Sequence, residues 1–194
     1  MPSAITKAVR CVQSADSEPV TLDGAKAHAR VDIDDDDALI TAMISAARQQ
    51  AENKTGRVIC KSTWEWVFQA PLSDPVEVPL LSPCYGCAGV TVGGEPLSVD
   101  AYSFFPSSGG INEAPLFATF GPLAGFPTVG EVVVTLTAGW PLAAIPDVIK
   151  QWILVRVTSL YEQRESFTVG ANFNEFGRDF VDGLLDPFVI PRSV

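Results

Sequence analysis

Residues 144–165, AIPDVIKQWILVRVTSLYEQRE, form the longest helix-compatible run in the chain, and the remaining segments are read against it. Pro146 suits a first helical turn, and Asp147 sets negative charge beside the exposed N–H groups of that turn. On a 3.6-residue wheel Ile149, Ile153, Val157 and Leu160 share one side, while Val148, Trp152 and Val155 lie well round from them. Only Lys150, Gln151, Arg156, Thr158 and Glu162 break the apolar cover. A single small core would not use so much surface, so the helix is expected to pack in its own domain and against a further partner.

Two shorter helices precede it. Thr21 is a good N-cap for a helix over residues 21–30, which Gly24 weakens. From about 36 to 55 the period is again helical: Ile40, Ile44, Ala47 and Ala51 line one side opposite Thr41, Ser45, Arg48 and Glu52. Gly56 is the natural left-handed residue that closes it. The aspartates of the run Asp32, Asp34, Asp35, Asp36, Asp37 suit the capping of that helix. Residues 1–18 have mixed composition and no period, and read as an arm.

Between the second and third helices, over about 59–138, the period switches to two. Trp64, Trp66 and Phe68 alternate with Thr63, Glu65, Val67 and Gln69, as in a half-buried strand over 62–69. Residues 76–80 suggest a short strand that Pro79 confines to a sheet edge. Residues 90–92 and 97–99 flank Gly93-Gly94-Glu95-Pro96 as a hairpin, and 102–105 and 116–120 are weaker candidates. Residues 130–137 form the strongest β run, stopped by Gly139 and Pro141. Beyond the long helix, residues 166–179 lack any period and read as a loop. Residues 180–194, FVDGLLDPFVIPRSV, read as an extended apolar tail from which a monomer gains little. The fold class expected is α+β: a mainly helical core with an inserted antiparallel β-rich region and an extended C-terminal tail.

Composition narrows the function classes. A 194-residue chain with 47% hydrophobic residues and a mean hydropathy of +0.21 can bury a sizeable core. Its longest apolar run is interrupted by Lys150 and Arg156, so no membrane span is expected, and residues 1–19 lack the apolar core of a secretory signal. A cytoplasmic site of synthesis is the default. Thirteen Lys and Arg against 23 Asp and Glu leave a net charge of −10, which argues against gripping nucleic acid through its phosphates. An acidic surface suits a protein that DNA must pass without sticking.

The candidate chemistry is sparse. Asp32-Ile33-Asp34-Asp35-Asp36 has the local spacing of a calcium loop, but Asp37 stands where that loop needs Gly, and Met43 where it needs Glu. Helix capping is the better reading, with a small acidic metal-binding protein or enzyme built on Asp32–Asp37 as the alternative. Cys84 and Cys87 form a lone CxxC without a second ligand pair, and Cys11, Cys60 and His28 are scattered singly, so free thiols are expected. His28 is the only histidine, which removes most acid–base architectures and leaves it a surface or interface residue. No P-loop, GxGxxG or HExxH occurs. No catalytic residue, metal site or cofactor is assigned.

The order of several landmarks is similar to that of the tailed-phage head–tail connector family, which also occurs in gene transfer agents and prophages. They are PVTLDGAKAHARV at 19–31, the acidic run with Ala38-Leu39-Ile40, Ala46-Ala47-Arg48, Thr55-Gly56-Arg57 and Thr63-Trp64. Thr137-Ala138-Gly139-Trp140, IPDVIK at 145–150, Tyr161–Glu165 and LLDPF at 184–188 complete the series. Gly24 departs from the family, which usually carries a helix former there, and the loop 166–179 and the β insert are long. The resemblance implies a non-enzymatic adaptor that forms a dodecameric ring beneath the portal of a DNA-filled capsid, in a virion or gene transfer agent particle. Its partners would be other copies of itself, the portal protein, a downstream tail or stopper component, and double-stranded DNA passing through the lumen. On this view Phe180, Val181, Leu184, Leu185, Pro187, Phe188 and Ile190 dock onto the portal. Val148, Trp152, Val155 and Tyr161 carry subunit contacts.

Overall fold

The computed structural model describes residues 6–69, 75–79, 83–106, 117–163 and 181–190. The chain divides into two compact units, one of residues 1–16 and 60–140, the other of residues 17–59 and 141–194.

The first unit is built of strands. Its larger sheet comprises β1 (Thr6–Gln13), β2 (Ser62–Gln69), β8 (Glu131–Ala138), β4 (Cys84–Val92) and β5 (Glu95–Pro96), in that order and antiparallel throughout. The second sheet orders β3 (Val76–Pro79), β7 (Phe117–Pro122) and β6 (Tyr102–Pro106), with β3 at an edge, as Pro79 implies. β2 and β8 pair without a slip from Ser62 opposite Ala138 to Gln69 opposite Glu131. That register places Trp66 against Val134 and Phe68 against Val132, and Val90 and Val92 of β4 continue the two rows. These residues form one buried cluster with Ala118 and Phe120. The Phe120 ring lies 5.8 Å from Tyr102 and packs edge-on to Phe126 at 6.1 Å. Burying a side chain such as Phe68 or Leu136 contributes about 1.5–3 kcal/mol, so alternating period and close packing reinforce each other.

The second unit holds α1 (Leu22–Ala29), α2 (Asp37–Thr55) and α3 (Asp147–Glu162). Thr21 caps α1 by accepting the Gly24 N–H at 3.1 Å. A Cβ at Gly24 would lie 3.1 Å from the Thr21 hydroxyl, which accounts for a glycine in this first turn. Ile40, Ile44, Ala47 and Ala51 of α2 and Ile149, Trp152, Ile153 and Val157 of α3 are buried. Polar contacts join the helices: His28 Nδ1 lies 2.8 Å from the Thr158 hydroxyl, and Arg156 Nε donates to Gln50 Oε1 at 2.8 Å.

This architecture corrects the expected fold class. Among the described residues there are three α-helices and eight strands, and the larger sheet has five antiparallel strands, so the core is not mainly helical. Two stretches carry the difference. Residues 6–13 are not an arm: β1 gains its order from long-range pairing with β2, through a register broken by two irregularities that blur its alternation. Cys84–Val92 is one nine-residue strand, in which glycines 86 and 89 and two register shifts hide the period of two. Residues 181–190, the described part of the expected extended tail, are not extended throughout either, since Asp186–Phe188 form a 3-10 turn. Residues 166–179, read as a loop, lie outside the described residues.

Candidate functional site

The C-terminal segment 181–190 is strapped to the helical unit by four polar contacts. Asp182 accepts from Lys54 Nζ at 2.7 Å and from the Trp152 indole N–H at 3.2 Å. Burial alone would raise the Asp182 carboxyl, but the hydrogen bonds from Lys54 and Trp152 outweigh it and hold the group below the usual carboxylate range. Arg57, only 2% exposed, donates from Nε to the Phe188 carbonyl at 2.6 Å, and burial lowers its pKa. The Ile190 N–H donates to the Thr55 carbonyl at 2.8 Å. Thr55 ends α2 and Gly56 follows in the left-handed conformation, φ 69°, where a Cβ would stand 3.7 Å from that of Ile190. The helix stop thus makes the seat for the returning chain.

Seven residues of this segment were expected to dock onto a portal. Leu185 and Phe188 are buried, Val181, Leu184 and Ile190 are half-buried, and Pro187 is exposed. Phe180 lies outside the described residues. The anchoring roles of Arg57 and Thr55 were not read from the sequence. The TGR triplet marks a helix end, and nothing local to it indicates a partner more than a hundred residues away.

The residues expected on a subunit interface are divided by the fold. Val148 is exposed and Val155 half-buried, while Trp152 is 1% exposed and faces the interior of its own unit. Tyr161 is half-buried and its hydroxyl donates to Asp36 Oδ2 at 2.6 Å. On α2 the exposed residues Ala38, Ala42 and Ala46 recur at intervals of four, with Leu39 exposed beside them. Such a face has little side-chain relief and allows close approach of another backbone.

Three aspartates of the acidic run, Asp34, Asp36 and Asp37, are held by contacts within the unit. Lys26 Nζ donates to Asp34 Oδ1 at 2.6 Å and Asp37 Oδ1 at 2.7 Å. Those two hydrogen bonds raise the pKa of Lys26, and its ammonium lowers that of Asp34. Asp36 stands at the N-cap of α2 but makes no side-chain capping bond there; it serves Tyr161 instead. The expected capping role is therefore replaced by links to α1 and α3. Among the described residues no group of three or more His, Cys, Asp or Glu side chains could hold a metal ion, and no helix is long and apolar enough to cross a membrane.

The fold is shared with solved gene transfer agent structures. A chain in the neck of an empty particle, computed with C6 symmetry, superposes with a TM-score of 0.70 at 17% identity, covering 96% of this chain and 97% of that one. A chain of a native particle's virion gives a TM-score of 0.69 at 16% identity, and one of a native neck computed with C12 symmetry gives 0.67 at 17%, with the same coverage. No curated protein matches. The family model that matches covers residues 19–81, which include α1, α2, the TGR triplet and β2. That model describes phage gp6-like head-tail connector proteins, to which residues 19–81 are similar.

Proposed function

We propose that the chain is a structural head–tail adaptor subunit, one copy of a ring at the head–tail junction of a virion or gene transfer agent particle. The observation that carries this reading is the coincidence of two likenesses: the connector-family match over residues 19–81 and a fold shared over 96% of the chain with neck components. The role is structural rather than catalytic. The related necks were computed with C6 and C12 symmetry, and a ring of twelve copies is the assembly put forward here.

Subunit contacts would use the exposed alanine face of α2 with Leu39, and the outer side of α3 with Val148 and Val155. Trp152 and Tyr161 would support that side from within. The segment 180–190 would meet the portal through Phe180, Val181, Leu184, Pro187 and Ile190, with Leu185 and Phe188 fixing the segment to its own subunit. The β-rich unit would face the next tail or stopper component. A net charge of −10 favours free passage of double-stranded DNA over binding.

The test is the Leu39→Asp/Val148→Asp double variant, mixed with cognate portal and sized by native mass spectrometry. Loss of the ring or portal complex with an unchanged unfolding midpoint is the expected result. Rings that form as readily as in the unaltered chain would sink the interface assignment.

A further inference from the structure

We propose that Cys84 and Cys87 are a reversible dithiol–disulfide site on β4, oxidised by thiol–disulfide exchange with a low-molecular-weight disulfide of the glutathione type. The chain reads Cys84-Tyr85-Gly86-Cys87-Ala88-Gly89, a C-x-G triplet used twice. On an unbroken strand, residues three apart point to opposite faces. Here Cys84 lies opposite Ala138, Gly86 opposite Thr137, Cys87 opposite Leu136 and Gly89 opposite Thr135, so Tyr85 and Ala88 are passed over in the ladder. The first of these bulges absorbs one residue and brings both cysteines opposite β8 positions two apart, on one face. Each thiol donates to the carbonyl two residues on, Cys84 to Gly86 at 3.8 Å and Cys87 to Gly89 at 3.4 Å.

The two sulfurs differ in access. Cys84 is 3% exposed within the buried cluster, whereas Cys87 packs at its margin beside Tyr102 and is half-buried. Burial pushes both thiols up, and the main-chain contacts at Gly86 and Gly89 draw them part of the way back. Cys87, the more accessible of the two, is thus the attacking sulfur and Cys84 the resolving one.

In the first step the Cys87 thiolate attacks one sulfur of the small disulfide, and the other half leaves as a thiolate that takes up the proton Cys87 lost. In the second, the Cys84 thiolate attacks Cys87 Sγ and expels the remaining small thiol. The net change is two protein thiols oxidised to one disulfide and one small disulfide reduced to two thiols. Two ladder steps span roughly 6.5–7 Å, at the upper limit of the Cα separation a disulfide bridges, so closure draws the bulge in and strains the bond. The bond would therefore be readily reduced, a switchable staple across the bulge.

The test uses the full-length Cys11→Ser chain, which removes the exposed thiol, incubated with oxidised glutathione and followed by intact mass and peptide mapping. The expected product is lighter by two hydrogens, linked between residues 84 and 87, and reverts in reduced glutathione. Cys84→Ser should stop at a glutathione adduct on Cys87, while Cys87→Ser should leave Cys84 unmodified. Circular dichroism checks that each variant is folded. A chain whose Cys84 and Cys87 both stay alkylatable after oxidation, or a Cys87→Ser chain that takes up glutathione at Cys84 equally fast, would overturn the proposal.

Discussion

The guanidinium of Arg57 donates from Nε to the main-chain carbonyl of Phe188 at 2.6 Å, joining the exit of α2 to the last described turn of the chain. Arg57 is buried, so the carbonyl it serves is poorly placed to find water instead. Arg57→Met keeps much of the apolar stem and removes the donor. It should lower stability by about 1–3 kcal/mol, the scale of losing a buried hydrogen bond from a charged donor. Urea unfolding measures the loss, and limited proteolysis should move to residues 181–190 ahead of the rest of the unit. Unchanged protection of those residues would show that Arg57 does not anchor them.

Acid should loosen the same segment through Asp182. Its folded pKa is depressed, so its contribution is fully present above the unfolded value of about 3.9 and is lost as pH falls through the lower folded value. Glu52 has the opposite sign: burial, only partly offset by the Ile59 N–H and Arg48, raises its folded pKa. That group weakens the fold as pH rises from the unfolded to the folded value. Hydrogen exchange at residues 183–190 should therefore speed up below about pH 4, and Asp182→Asn should remove that dependence. An identical pH profile in the variant would rule Asp182 out as its source.

Gly139 has φ 92°, and a Cβ there would stand 2.2 Å from the Cys60 carbonyl oxygen. The same residue donates its N–H to Pro83 at 2.8 Å, so the backbone cannot shift without losing a hydrogen bond. Gly139→Ala combines a left-handed penalty with a main-chain clash, and should cost at least about 3 kcal/mol. The thermal midpoint of the variant tests this. A change of less than about 2 °C, the shift of a fraction of a kcal/mol, would mean that the junction relaxes freely.

Trp152 and Val148 lie four residues apart on α3, yet one is 1% and the other 41% exposed. Trp152→Ala should destabilise the helical unit by about 3–5 kcal/mol, whereas Val148→Asp should leave its unfolding midpoint nearly unchanged. Denaturant titration of the two variants separates core from surface on this helix. Equal losses would contradict the division.

These contrasts show what the sequence could and could not disclose. The bounds of α2 and β2 were legible because each is set locally: Gly56 ends the helix, and Trp64, Trp66 and Phe68 alternate without interruption. The outer strand β1 was not legible, since its partners lie fifty or more residues away and its register is irregular. β4 was hidden by its C-x-G triplets, which resemble a turn when read without β8 beside them. Trp152 was misread as an outward residue because a helix apolar on two sides does not reveal which side its own unit covers. The buried face of the C-terminal segment failed for a related reason: Leu185 and Phe188 resemble an unpartnered tail until Arg57 and Thr55 are placed beneath it. The aspartates were legible as a cluster, but their actual partners, Lys26 and Tyr161, are set by how three helices pack.

The most direct test of the adaptor reading is the mass of the purified full-length chain in solution, alone and mixed with its cognate portal, measured by native mass spectrometry. The account predicts a closed ring, with twelve copies as the expected count, formed alone or on the portal. A chain that stays monomeric and ignores portal across the concentrations at which the particle assembles would contradict it.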